Sequence, residues 1–82
     1  MTTEEIKIAL RRFIETDLAP GAGFTDDESL MESGVLSSMG ITRLVEFMNE
    51  RFRVAISDAE FEPDNFETLD AMTAMVTRKR AA

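Results

Sequence analysis

The segment Gly34 to Gly40, GVLSSMG, runs directly into an apolar-periodic stretch that closes on Phe52, so Ser38 falls where a loop turns into a helix. A hydroxyl there sits at the positive end of a helix dipole, beside backbone N–H groups without intrahelical partners. That setting suits a phosphate ester. What the chain lacks narrows the chemistry further. It has no cysteine and no histidine, which removes disulfides, thiolate metal sites, the commonest general base and the commonest zinc ligand. A hydrolase built on Ser38 has no histidine to activate it, and ranks below any binding role. Asp58, Glu60, Glu62 and Asp64 alternate like the first ligands of an EF-hand, but Pro63 stands where that loop needs Gly and Leu69 where it needs Glu.

The elements that must position Ser38 are helical. Thr2 followed by Glu5 reads as a capping box, and Ile6, Ala9, Leu10, Phe13 and Ile14 follow at helical spacing, giving a helix over about residues 3 to 17. Pro20, Gly21 and Gly23 stop it. The connection from Leu18 to Ser37 holds Phe24, Leu30, Met31, Val35 and Leu36, too many apolar residues for a free linker, so it is expected to lie across the helices with Leu30 and Leu36 in the core. A second helix, about 38 to 52, sets Ile41, Leu44, Val45, Met48 and Phe52 on one stripe. Met39 and Phe47 fall partly off that stripe, and their plain reading is the edge of the core. Ser57 with Glu60 opens a short turn that Pro63 limits, and a last helix over about 66 to 79 turns Phe66, Leu69, Met72 and Val76 inward. No stretch alternates as a strand would. The expected fold is all-α: a small four-helix bundle of three main helices and one short one, a single domain over residues 1–82. A chain of this size buries only about 60–65% of its unfolded surface, so the core must be simple.

With nine Lys and Arg against sixteen Asp and Glu, the net charge is −7. That disfavours nucleic acid, which is bound by neutralising phosphates, and favours basic partners. No apolar run reaches membrane-spanning length, and MTTEEIKIALRRF lacks the apolar core of a signal peptide, so a cytoplasmic monomer without a membrane span is expected. Acids gather in Asp26, Asp27, Glu28 and Glu32, and again in Asp58, Glu60, Glu62, Asp64, Glu67 and Asp70, a pattern read first as solvated faces.

Two serines at a helix start are ordinarily caps, and Ser37 and Ser38 taken alone say no more. The sequence beyond them does. Ser38-Met-x-Ile-x-x-Leu-Val-x-x-Met-x-Glu-x-Phe resembles the prosthetic-group helix of the acyl carrier protein and peptidyl carrier protein family, and Leu44, Val45, Met48 and Phe52 keep the family's spacing only if Ser38 is the anchor. The resemblance continues through Leu30 in the long loop, AISDAEF with Ile56 and Asp58, and NFETLDAM with Thr68 and Leu69. It implies that Ser38 carries 4'-phosphopantetheine, placed there by a phosphopantetheinyl transferase. It also implies that the arm's thiol holds an acyl group for loading, condensing and transferring enzymes. The chain's own lack of cysteine is then no obstacle, since the cofactor brings the thiol. Met39 beside the site offers an adaptable apolar contact, and Gly40 keeps the helix start uncluttered.

Two departures stand out. Ser37 occupies the place of the family's usual Asp before the modified serine, which sets the chain apart from carriers served by the housekeeping transferase. The second helix mixes Arg43 and Arg51 with Glu46 and Glu50, where fatty-acid carriers show an acidic face. Together these point to polyketide or related specialised synthesis. Glu32-Ser33-Gly34 also resembles the aminoacyl and D-alanyl carrier branch. A reading of another class is an unmodified helical adaptor whose acidic face binds a basic partner.

Overall fold

A computed structural model describes residues 1–81. Among the described residues there are four α-helices: α1 (Thr3–Phe13), α2 (Ser38–Phe52), the one-turn α3 (Pro63–Phe66) and α4 (Leu69–Ala81). The described residues contain no strand. The element α4 is central, packing on α1, α2 and α3.

At its start α1 is fixed by the box expected from the sequence: Glu5 N–H donates to Thr2 Oγ1 at 3.2 Å and Thr2 N–H to Glu5 Oε1 at 2.8 Å. Beyond Phe13 the chain stays helical but widens into a π-turn over Ile14–Leu18, which the apolar pattern did not signal. The wider turn, a feature often found near functional sites, lets the Asp17 carbonyl accept from Arg43 Nη1 on α2 at 3.2 Å.

The long connection is anchored as its apolar content required. Phe24, Leu30 and Leu36 are buried with Ile6, Leu10 and Ile14 of the first helical segment. Main-chain bonds tie it to the start of α4: Leu30 N–H to Glu67 O at 2.8 Å and Asp70 N–H to Asp26 O at 3.0 Å. Arg11 donates to Phe24 O at 2.7 Å and lies over the Phe24 ring, 4.7 Å from its centroid. The Asp26 carboxylate pairs with Arg11 and with Lys7, which also meets Asp70 at 2.8 Å. Part of the acidic surplus therefore closes the loop onto α1 and α4, and is not simply a solvated face.

Ile41, Leu44, Met48 and Phe52 of α2 are buried, while Val45 is only half-buried at the margin. The last helix begins later than expected. Pro63 starts α3 instead of ending a turn, because a proline at the first helical position has its φ already set and no N–H to waste. Phe66 fills the core from α3, and α4 follows after Glu67 and Thr68, whose hydroxyl accepts from Ala71 N–H at 3.0 Å. Thr73 and Met75, which the spacing left unassigned, are buried with Leu69, Met72 and Val76. The Thr73 hydroxyl donates to Leu69 O at 2.8 Å, so its burial leaves no unpaired donor.

Candidate functional site

The start of α2 is built from four neighbours with separate tasks. Gly34 takes φ +85°, a turn that a side chain would strain, and the chain then drops Leu36 into the core. Ser37, extended at φ −114° and ψ 175°, is the cap: its Oγ accepts from Gly40 N–H at 3.2 Å and its carbonyl accepts from Ile41 N–H at 2.9 Å. Ser38 is the first helical residue and is exposed. The reading of Ser38 as a possible cap is thus corrected, since the neighbour one step earlier satisfies the helix end and, among the described residues, the Ser38 hydroxyl has no hydrogen-bond partner.

Gly40 is where the loop and helix approach most closely. A Cβ there would stand 3.3 Å from Leu36 Cδ2 and 4.0 Å from Leu18 Cδ1. Leu36 and Leu18 can lie against the first turn because position 40 has no side chain. The π-turn, the loop and α2 therefore meet at Gly40, two residues after Ser38, and hold the start of the helix in place.

Met39 corrects an expectation. It is 79% exposed and takes no part in the core, so the edge reading fails. Phe47 is half-buried and stacked on Phe13, with centroids 4.2 Å apart and planes at 12°, as an edge residue should be.

The first turn of α2 carries no acidic residue. Its dipole end and its leading N–H groups are therefore not neutralised locally, and an anionic group esterified to Ser38 would be met favourably. The described residues hold no cluster of three or more His, Cys, Asp or Glu placed to bind a metal ion. No helix is long and apolar enough to cross a membrane among those residues.

Sequence reasoning placed Ser38 at the helix start, but missed Ser37 as the sole cap and the support from Leu18 and Arg43. The available signal for the cap was the Ser37-x-x-Gly40 spacing, in which the third residue presents an unhindered N–H.

No family model matches the chain. Curated proteins do. A probable acyl carrier protein, PigG, of Serratia sp. is 34% identical over 59 residues, covering 72% of this chain and 68% of that protein. The D-alanyl carrier protein of Streptococcus sanguinis is 31% identical over 78 residues, 95% of this chain and 99% of its own length. That of Streptococcus gordonii is 36% identical over 56 residues, 68% of this chain. Alignment across nearly the full length of one such protein, together with the helical bundle, leaves one assignment: the chain belongs to the phosphopantetheine-binding carrier proteins, the family of acyl and D-alanyl carriers.

Proposed function

We propose that Ser38 carries 4'-phosphopantetheine and that the chain transports an acyl group without catalysing its chemistry. The observation that supports this most is the division of labour at the start of α2, where Ser37 caps the helix and leaves the Ser38 hydroxyl exposed and unpaired. In attachment, Ser38 Oγ forms a bond to the pantetheine-bearing phosphorus of coenzyme A, the pyrophosphate P–O bond breaks and adenosine 3',5'-bisphosphate leaves. The transferase supplies Mg²⁺ and takes the Oγ proton. Once attached, the arm provides a terminal thiol that holds cargo as a thioester. This chain then orients the arm through the rigid α2 start, and offers Met39 and the exposed face of α2 to the enzymes that load, condense or transfer the cargo.

For the cargo, the mixed charge of α2 and Ser37 favour an acyl group of polyketide or related specialised synthesis over one of housekeeping fatty-acid synthesis. The D-alanyl reading has equal support from the relatives, because the streptococcal protein aligns with 95% of this chain. Incubation of the purified holo-protein with a D-alanine-activating ligase and with an acyl-CoA-dependent loading enzyme separates the two by intact mass. The attachment itself is tested by mass after exposure to coenzyme A and a broad-specificity transferase. A single adduct mapping to Ser38 supports the proposal, and no adduct with several transferases would leave the adaptor reading.

A further inference from the structure

Away from Ser38, a groove of about 400 Å³ runs between α1 and α2. Its floor is apolar: Ala9, the stacked rings of Phe13 and Phe47, and Ile8, which is 53% exposed. Phe47 lies nine residues after Ser38, about 13 Å farther along the helix axis at 1.5 Å per residue. The shape is stiff, because the Phe13–Phe47 stack bridges the two helices and the Thr2–Glu5 box fixes the start of α1.

Charge gives the groove its selectivity. Lys7, Arg11 and Lys79 are consumed in ion pairs, and Arg43 and Arg80 donate to main-chain carbonyls. Four arginines, Arg12, Arg51, Arg53 and Arg78, have guanidinium groups without a partner among the described residues, and of these Arg12 and Arg51 line the groove. In a chain of net charge −7, two unpaired arginines beside an apolar trough are a local inversion of sign. The one carboxylate in the lining, Glu5, is turned back to Thr2 N–H.

We propose that this groove docks an amphipathic helix of a partner protein, one that lays an apolar ridge between α1 and α2 and carries carboxylates beside it. Two helices with an open trough between them accept the ridge of a third. The apolar floor supplies affinity, and Arg12 and Arg51 select the sign of the flanking charges and speed encounter. An anionic membrane suits the site less well, since the trough is concave and the whole chain is acidic. The docking needs no arm on Ser38, so its failure and the failure of the attachment proposal are distinct.

The test uses the full chain, isotope-labelled, and two synthetic helical peptides with leucines at i, i+4 and i+7, one flanked by glutamates and its twin by lysines. The glutamate peptide should saturate with shifts confined to Ile8, Ala9, Phe13 and Phe47. The lysine twin should bind at least tenfold more weakly. In Arg12→Glu/Arg51→Glu the preference should invert, and because both side chains are exposed and unpaired the circular dichroism spectrum should stay helical, with the melt only somewhat lowered since each acid falls in the last turn of its helix. Added salt should shrink the difference between the twins. Equal binding of the two peptides, shifts centred on Met39 or Phe61, concentration-dependent self-association through this groove in place of peptide binding, or preferential binding to anionic vesicles would each overturn the proposal.

Discussion

The chain starts two helical segments on a serine, α2 at Ser37–Ser38 and the 3₁₀ turn Asp58–Glu60 at Ser57, and the hydroxyls meet different fates. At Ser57 every polar group is engaged. Its N–H and its Oγ both donate to Glu60 Oε1 at 2.9 Å, Glu60 N–H donates to Ser57 O at 3.0 Å, and Lys79 of α4 closes on the same carboxylate oxygen at 2.6 Å. Those donors hold the Glu60 carboxyl down to about 2 from its ordinary 4.5, with the Lys79 ammonium the largest cause. At α2 a tandem serine splits the work, so the second hydroxyl is free. A single serine can serve the fold or be available for modification; two in tandem do both.

The sharpest way to break the comparison is to exchange the fates. Ser38→Ala should abolish the phosphopantetheine adduct outright while leaving the melt unchanged, because Ser37 is the cap. Ser57→Ala should still be modified at the wild-type rate, yet be less stable by roughly 0.5–1.5 kcal/mol, the net worth of the hydroxyl's hydrogen bond to Glu60. An adduct retained in Ser38→Ala on intact-mass analysis would dissolve the contrast.

The next effect lies beneath the site. Leu44 of α2 is fully buried, so Leu44→Ala should cost about 2–5 kcal/mol in urea denaturation. A midpoint that did not move would mean that α2 does not rest on the core in this register.

A smaller change addresses the tandem itself. Ser37→Ala should lose about 1 kcal/mol of stability through the Gly40 N–H, with the adduct still mapped to Ser38. Ser37→Asp should keep the cap, add favourable charge at the helix start worth about 0.3–1 kcal/mol, and speed modification by the housekeeping transferase at low salt. Equal initial rates for Ser37→Asp and wild type would show that Ser37 is not what sets this carrier apart.

The smallest effect belongs to the engaged serine's partner. Glu60 is more acidic folded than unfolded, so the unfolded chain takes up the proton first as pH falls. The stability it contributes is complete above about pH 4.5 and is lost as pH falls toward about 2. Glu60→Gln should flatten that part of the acid limb and leave neutral-pH cooperativity intact. An unchanged slope over that window would detach Glu60 from acid unfolding.

The sequence made some of this legible and hid the rest for physical reasons. The α2 register was readable because Ile41, Leu44, Met48 and Phe52 mark one face, and all four are buried. Leu30 and Leu36 were readable because apolar residues in a long loop need somewhere to go. Met39 was not, since periodicity cannot tell an apolar residue at the core margin from one kept outside for a partner. The π-turn was hidden because apolar spacing carries no mark of one extra residue per turn, and its contact with Arg43 spans 26 positions. Pro63 misled because proline both ends and begins helices, and only the placement of Phe66 in the core decides between them. The ion pairs of Lys7 and Arg11 with Asp26 depend on the path of the loop, which no local pattern encodes.

The openness of Met39 has a consequence in redox chemistry. Met48, Met72 and Met75 are sealed in the core, whereas Met39 is the most exposed of the large apolar side chains. Peroxide attacks accessible thioethers first, and the sulfoxide it makes is polar and chiral. Under oxidative conditions the damage would therefore begin beside Ser38, altering the contact surface for partner enzymes while the bundle stayed folded, and reversal would fall to methionine sulfoxide reductases.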